Sequence, residues 1–321
     1  MDHEEISRLL DIQSGVIART QLFARGAKPH DIKRLVRRKE MTAVVTGVYV
    51  NHTGDPTWLQ RAWAGTLALA PAVLSGMSAL RAVAGPGWRT YDDAGPIELA
   101  VSRDRRLAVP DGYRLSHRSG LDARVQWNAS PPRLRVEEAT LQVAARQDSE
   151  WRAIGILTDA CGTRRTTAAR LLAALDGLTR LPGREFLRRV LLDIDTGACS
   201  VLEQGYLRLV EAPHGLPSAQ RQVVIRRDRG REYRDVTYDD YRVDLELDGR
   251  VYHESSTQRD LDLDRDLDSA VAGAHAVRLG WGQVFTRPCR TAERIAALLT
   301  RRGWGGTLTT CGPGCSLLDA A

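Results

Sequence analysis

Residues 233–253 read Tyr233-Arg-Asp-Val-Thr-Tyr-Asp-Asp-Tyr-Arg-Val-Asp-Leu-Glu-Leu-Asp-Gly-Arg-Val-Tyr-His253. This pattern predicts two strands that are joined by a tight turn at Asp239-Asp240. In the second strand Val243, Leu245 and Leu247 alternate with Asp244, Glu246 and Asp248, which is the period of a half-buried strand. One strand face therefore presents three carboxylates, spaced about 7 Å apart. Because like charges repel, we expect a compensating cation, and a divalent metal is the natural candidate for carboxylate oxygens.

The same stretch resembles the core of the PD-(D/E)XK nuclease superfamily. The match is carried by Asp235, the run Glu246-Leu-Asp248-Gly249 and His253, and its closest pattern is the very-short-patch-repair-like branch. Upstream, Ser200-Val-Leu-Glu203 and Gly215-Leu216-Pro217 resemble the opening helix of that branch and the loop after it. Downstream, Arg259-Asp260, Asp264-Arg265-Asp266 and the run from Val277 to Trp281 resemble its charged helix and closing strand. The resemblance covers residues 198–304 and implies a restriction-endonuclease-like α/β domain.

The resemblance also implies roles for these residues in metal-assisted phosphodiester hydrolysis. Asp235 and Glu246 would hold Mg²⁺ or Mn²⁺, and Glu203 would complete or orient the ligand shell. His253 would act as a general base or steady the leaving oxygen. Asp248 stands where the superfamily has its lysine, so it could bind a second metal or mark a site that has lost activity. Asp244 is an alternative ligand, but Asp235 is preferred because it comes from the opposite strand.

The N-terminal segment predicts three helices, over 3–14, from Thr20 to Gly26, and after Pro29, followed by two short strands that break at Gly47. This order is that of a winged helix-turn-helix, with the third helix in the recognition position. The third helix and its flanks carry the candidate DNA-binding residues, which are Lys28, Lys33, Arg34, Arg37, Arg38 and Lys39. The alternative to DNA binding is that these residues form an ordinary solvated helix face.

The N-terminal segment also resembles the AbiEi family of antitoxins from type IV toxin–antitoxin systems. The resemblance is carried by Gly15-Val-Ile-Ala-Arg-Thr-Gln-Leu22, the basic third helix and Thr46-Gly-Val-Tyr49. It continues through a mixed α/β middle region, where we expect strands at 97–101 and 113–117 and helices at 137–145 and 166–175. This resemblance implies a transcriptional regulator with a toxin as partner or operon neighbour.

Composition and charge favour a DNA-associated, cytoplasmic protein. The chain has 321 residues, a net charge of +6 and a pI near 9.3, which favours a polyanionic partner. No apolar run approaches the roughly 20 residues of a membrane span, and the acidic start does not fit a secretory signal peptide. Cys311-Gly-Pro-Gly-Cys315 could supply two zinc ligands, but no second Cys/His pair lies at a suitable spacing. A flexible tail is therefore favoured for this segment.

These observations predict an α+β multidomain protein. The expected parts are a winged helix-turn-helix domain at 1–55, a middle region at 56–197, a nuclease-like domain at 198–304 and a loose tail at 305–321. The function favoured is a DNA-binding protein with a Mg²⁺-dependent endonuclease domain. The alternative is a non-catalytic DNA-binding regulator, of the antitoxin type, whose nuclease domain is vestigial. Oligomeric state, target sequence and pathway stay open.

Overall fold

The computed structural model describes residues 2–86, 91–196, 200–227, 230–249 and 275–317. The chain divides into two compact units, Met1–Val143 and Ala144–Ala321. Helices and three sheets occur in the described residues, and this confirms the α+β class in its coarse form. None of the helices within these ranges is long and apolar enough to cross a membrane. The finer domain boundaries stay predictions.

The first unit begins with three helices and a small antiparallel sheet. The elements are α1 (His3–Ile12), β1 (Val16–Ala18), α2 (Arg19–Ala24), α3 (Pro29–Arg37), β2 (Thr42–Val45) and β3 (Val48–Val50). The sheet has the order β1-β3-β2, with Ile17 opposite Tyr49. The predicted helices and the break at Gly47 are present, whereas β1 is an additional strand. Its side chains are fully buried or nearly so, so it lacks the alternation that would identify a half-buried strand.

A mixed five-stranded sheet forms the rest of the first unit. Its elements are α4 (Trp58–Ala68), β4 (Val73–Leu74), α5 (Gly76–Ala84), β5 (Ile97–Ser102), β6 (Tyr113–Arg118), β7 (Val125–Gln126), β8 (Arg133–Leu134) and α6 (Val136–Ala144). The strand order is β6-β5-β4-β8-β7. Gly65 of α4 lies so close to the ring of Tyr113 that a Cβ there would come within 2.3 Å of it. The strands and the helix expected at 97–101, 113–117 and 137–145 are confirmed.

The second unit opens with helices that pack beside one another. They are α7 (Glu150–Gly162), α8 (Ala168–Asp176), α9 (Arg184–Thr196) and α10 (Ser200–Gly205). The chain continues from α10 into a π-helical turn, Tyr206–Glu211, and a short 3₁₀ turn, Ala212–His214. A Cβ on Gly205 would lie 2.3 Å from Cζ of Phe285, so the absence of a side chain lets this helix approach the Phe285 ring.

A four-stranded mixed sheet carries residues 233–248, the acidic hairpin. Its strands are β9 (Gln220–Arg227), β10 (Gly230–Tyr238), β11 (Val243–Asp248) and β12 (His275–Gly280), in the order β12-β11-β10-β9. A 3₁₀ turn at Asp239–Tyr241 joins β10 to β11, as predicted. These two strands pair antiparallel, while β11 and β12 pair parallel. The apolar residues of β11 are buried, as the alternation predicted. Asp244 is buried as well, so the expected half-buried pattern is present only from Leu245 to Asp248.

The chain ends in α11 (Pro288–Thr300) and a segment without helix or strand over residues 305–317. That segment was predicted to be a loose tail, yet it is bound to the turn that follows the π-helical segment. The backbone N–H of Thr309 donates to the carbonyl of His214 at 3.0 Å. The Thr309 hydroxyl donates to the carbonyl of Pro213 at 3.1 Å. Cys315 is buried, so the segment contributes to the packing of the unit.

Candidate functional site

The exposed side of α3 carries a concentrated positive charge. Ile32 is buried in a small core with Ile6, Ile17 and Leu22, and this fixes which side of the helix faces solvent. The helix begins where the carboxylate of Asp31 accepts the backbone N–H of Lys28 at 2.9 Å. The six cations of this region are exposed and are called the basic face: Lys28, Lys33, Arg34, Arg37, Arg38 and Lys39.

Two of these six cations already have acidic partners. Arg34 lies 3.0 Å from Asp31, and Arg38 lies 3.8 Å from Glu40. Within the described residues no acid lies within ion-pair distance of the other four cations of the basic face. The positive charge of these four side chains is therefore not neutralised by an acid in the part of the chain that the structure describes.

The loop between β2 and β3 lies beside a further cation. Gly47 has a φ of +78°, a left-handed conformation that favours glycine. Its carbonyl accepts the backbone N–H of Arg19 at 2.7 Å, and Arg19 is exposed at the start of α2. This hydrogen bond holds the hairpin loop against the start of α2, and the side chain of Arg19 lies beside Gly47.

The acids of β10 and β11 lie on one side of the second unit's sheet. Val236 pairs with Leu245, and Thr237 pairs with Asp244, and Asp235 and Glu246 lie directly beyond the last paired residues. Opposed residues of an antiparallel pair share a face, and alternate residues along a strand share it too. We call Asp235, Glu246 and Asp248 the carboxylate face; all three side chains are half-buried.

Asp235 is held across the strands by the backbone. Its carboxylate accepts the N–H of Leu247 at 2.7 Å. Burial raises the pKa of Asp235, the Leu247 hydrogen bond opposes that rise, and the negative charge of Asp248 adds to it. The carboxyl groups of Asp235 and Asp248 are thus close enough to repel each other.

Glu246 has a cationic partner of its own. Its carboxylate lies 3.0 Å from the guanidinium of Arg278, which is its register partner on β12. Arg278 therefore supplies part of the positive charge that the repulsion among the carboxylates led us to expect.

The deeper pair on this face is polar as well. Thr237 and Asp244 are both nearly fully buried, and the Thr237 hydroxyl has no hydrogen-bond partner within the described residues. A buried hydroxyl without a partner is costly, so a ligand that reached it would be favoured.

Glu203 lies on α10 and is half-buried. Among the described residues, the carboxylates of Glu203, Asp235 and Glu246 do not form a group at metal-ligand spacing. His253 and the charged run 259–268 fall outside the described residues. The metal and catalytic roles given to these side chains stay predictions.

A buried network connects the helix after Glu203 to the hairpin. The hydroxyls of Tyr206 and Tyr238 are 2.7 Å apart, and Tyr238 donates to the Glu211 carboxylate at 3.4 Å. Arg221 lies 2.9 Å from the same carboxylate. Burial raises the pKa of Glu211, although the Arg221 charge opposes that rise.

A different group of side chains does lie at metal-ligand spacing. The ligand atoms of His214, Cys289, Cys311 and Cys315 all lie within 4.8 Å of one another, and we call these four residues the thiol–imidazole group. Cys289 Sγ is 3.6 Å from Cys311 Sγ, and Cys315 Sγ is 3.9 Å from Nε2 of His214. Sequence reasoning missed His214 and Cys289, because each comes from a different element far from the Cys311–Cys315 pair. The pair itself was the only local signal.

The surroundings of Cys315 favour its thiolate. Burial by itself would raise the pKa of this thiol. Backbone hydrogen bonds from Cys311 and Leu317, together with the neighbouring thiols, outweigh burial and lower the pKa to about 6. Burial and the thiols of Cys315 and Cys289 raise the pKa of Cys311 to about 12, so Cys311 retains its proton when Cys315 loses one.

No protein-family model and no curated protein matches the chain. A search of solved structures finds a similarity to the crystal structure of the RV2827C protein from Mycobacterium tuberculosis, at 20% identity and a TM-score of 0.35. The similarity covers 55% of this chain and 72% of the other. At this level it carries no argument about function.

Proposed function

We propose that the first unit binds duplex DNA as a winged helix-turn-helix domain, in a cytoplasmic protein. The observation that carries this proposal is the basic face, which lies on the solvent side of α3. In helix-turn-helix domains, the second helix of the motif enters the major groove, and α3 follows α2 in this position. The β2–β3 hairpin, with Arg19 beside Gly47, provides a second cationic contact next to the helix.

The cations of the basic face are expected to contact phosphates in the main. Such contacts release counterions, so the logarithm of the affinity falls with the logarithm of salt concentration by about 0.9 per contact. Lys33 and Arg37 have no acidic partner among the described residues, whereas Arg34 and Arg38 do. Lys33 and Arg37 therefore contribute more to binding.

The test is a salt titration of duplex DNA binding, measured by fluorescence anisotropy. The Lys33→Ala/Arg37→Ala double variant should bind more weakly, and its salt slope should be smaller by about 1.8. The matched control is Arg8→Ala/Arg180→Ala, which removes two exposed arginines outside the basic face and should leave the slope near the wild-type value. An unchanged slope in the first variant would refute the proposal.

A second candidate function for this protein is metal-dependent cleavage of the bound DNA, with Mg²⁺ or Mn²⁺ as cofactor. The carboxylate face favours it, because Asp235 and Asp248 repel each other beside a buried hydroxyl without a partner. Hard oxygen donors of this kind fit Mg²⁺. Asp235 and Glu246 would hold the ion, with Glu203 orienting the shell. When bound, such an ion polarises the phosphate and acidifies a water.

The side chains have separate tasks in this proposal. The Leu247 N–H donates to one carboxylate oxygen of Asp235 and so fixes the orientation of the carboxylate. The second oxygen would bind the ion. Arg278 orients Glu246 and must release part of that carboxylate for a ligand. His253 is the proposed general base, and Asp248 either adds a ligand or repels Asp235.

Cleavage is tested on supercoiled plasmid, with Mg²⁺, Mn²⁺ or chelator. Asp235→Asn and Glu246→Gln should each abolish nicking and leave DNA binding near wild type. Asp240→Asn is the matched control, because Asp240 is an exposed acid at the turn of the same hairpin. Cutting that persists in chelator, or that Asp235→Asn retains, would reject this site.

The alternative is a regulator of the antitoxin type, with a toxin as partner. The ion pair between Glu246 and Arg278 favours it, because an arginine already neutralises one of the acids that a metal would need. If the wild type binds a promoter and does not cut single-stranded, duplex or mismatched DNA with either metal, this alternative replaces the nuclease.

A further inference from the structure

We propose that the thiol–imidazole group is a structural Zn²⁺ site, formed by His214, Cys289, Cys311 and Cys315. This proposal is independent of the proposed function. It rests on four side chains of the second unit whose ligand atoms are gathered within 4.8 Å.

The spacing of the ligand atoms suits a tetrahedral ion. Zinc binds sulfur at about 2.3 Å and imidazole nitrogen at about 2.0–2.1 Å, which sets ligand-to-ligand distances of about 3.5–3.8 Å in a tetrahedron. The Cys289–Cys311 separation is 3.6 Å and the Cys315–His214 separation is 3.9 Å. A disulfide requires a sulfur–sulfur distance of about 2.05 Å, so the first pair is not bonded.

The imidazole is oriented as a ligand. Nδ1 of His214 lies 2.9 Å from the carbonyl oxygen of Val210, and only a protonated Nδ1 can donate to a carbonyl. The neutral ring then carries its lone pair on Nε2, which is the nitrogen that faces Cys315. Zinc-bound histidines commonly use their second nitrogen in this way, which fixes the ring and its tautomer.

The ligand set identifies the metal and its role. Three thiolates and one imidazole are soft or borderline donors, which select zinc over Mg²⁺. Four protein ligands leave no open position for water or substrate, and this is the pattern of structural rather than catalytic zinc. Cys289 is the second residue of α11, where the helix N-terminus favours a negative ligand.

The ion would join three parts of the second unit. His214 ends the turn after the π-helical segment, Cys289 opens α11, and Cys311 and Cys315 lie in the terminal segment. Thr309 already ties that segment to His214 and Pro213 by hydrogen bonds. These contacts place the terminal cysteines beside His214, so the four ligands come from segments that already pack against one another.

The decisive experiment is the metal content of the full chain, purified under reducing conditions with a tag that contains no histidine. Elemental analysis by inductively coupled plasma mass spectrometry should find about one Zn²⁺ per chain. Cys311→Ser changes an exposed side chain, so the variant is expected to fold. Its Kd for Zn²⁺, measured by chelator competition, should rise by about 100-fold or more. Cys161→Ala, which removes a thiol of α7 outside the group, should keep the wild-type value.

Reconstitution with Co²⁺ gives a second readout of the ligands. Wild type should show the visible bands of tetrahedral Co²⁺ and a sulfur-to-cobalt charge-transfer band, and the latter should weaken in Cys311→Ser. Wild type that takes up no stoichiometric Zn²⁺ or Co²⁺ would overturn the proposal. So would a Cys289–Cys311 disulfide in freshly purified protein, or equal Zn²⁺ affinities for Cys311→Ser and Cys161→Ala.

Discussion

The carboxylate face and the thiol–imidazole group lie in the same unit, and they hold their ligand atoms in different ways. On the carboxylate face, Asp235 is bonded to the Leu247 amide and Glu246 to Arg278, so the protein itself satisfies much of the charge. In the thiol–imidazole group the four ligand atoms lie within 4.8 Å of one another. A row of acids along a strand therefore need not converge, while residues far apart in sequence can.

The largest expected difference between the two regions is their response to metal. At the same free metal concentration, Zn²⁺ should raise the free energy of unfolding more than Mg²⁺, because its Kd is expected to be lower. A Zn²⁺ concentration about 1,000 times its Kd corresponds to a gain of about 4 kcal/mol. Denaturant unfolding of the full chain with each metal measures both. A larger gain with Mg²⁺ than with Zn²⁺ would reverse the comparison.

The scaffold behind the carboxylate face should show the next largest effect. Tyr238→Phe removes the hydroxyl that lies between Tyr206 and Glu211, so the buried Tyr206 hydroxyl loses this partner and the Glu211 carboxylate loses one of its hydrogen bonds. We expect a loss of about 1–3 kcal/mol in unfolding free energy, measured by urea unfolding. Tyr241→Phe, in the turn of the same hairpin, should change stability by much less. Equal losses would mean that the buried network does not stabilise the helix against the hairpin.

Arg278 forms an ion pair with Glu246, which is one of the acids that a metal would use. Arg278→Gln should lower stability by about 1 kcal/mol or less, since the pair is partly exposed. The same change should tighten Mn²⁺ binding, followed by titration calorimetry, because Glu246 is released. The control is Arg290→Gln on the exposed side of α11. Weaker Mn²⁺ binding in Arg278→Gln would show that the arginine supports the site.

The smallest effect concerns pH. Burial and Asp248 raise the folded-state pKa of Asp235, so the folded state binds this proton more tightly than the unfolded state. In chelator, its contribution to stability is therefore largest below the unfolded pKa and is lost as pH rises through the folded pKa. Asp235→Asn should remove this slope and stabilise the protein slightly at neutral pH. Parallel stability–pH curves for variant and wild type would contradict the assignment.

Local patterns in the sequence predicted much of the fold. The alternation in 243–248 identified β11, and the spacing of Ile32 and Leu35 identified α3, because both periods are set by backbone geometry. The strand β1 was missed because burial on both sides removes alternation. The π-helical turn at Tyr206–Glu211 also gave no pattern. It is held by tertiary contacts, such as Phe285 against Gly205 and Tyr206 against Tyr238.

The candidate sites, too, could be predicted where they depend on one strand and not where they depend on tertiary packing. The acids of the hairpin were identified because alternate residues of one strand share a face. The pairing of Glu246 with Arg278 was not, since it depends on which strand lies beside β11. His214 and Cys289 could not be linked to Cys311 and Cys315, because only the packing of the terminal segment brings them together.

The hydrogen bond from Thr309 to His214 can form only late in the synthesis of the chain. His214 leaves the ribosome before any strand of its sheet, whereas Thr309 follows it by almost a hundred residues. Until the terminal segment emerges, His214 lacks its cover and the nascent chain has an incomplete second unit. A chain that is stopped or clipped before Thr309 would keep the four described strands of the sheet and lack the contacts that Thr309 and Cys315 make with His214. Accessibility of His214 to a histidine-modifying reagent would therefore distinguish finished chains from interrupted ones.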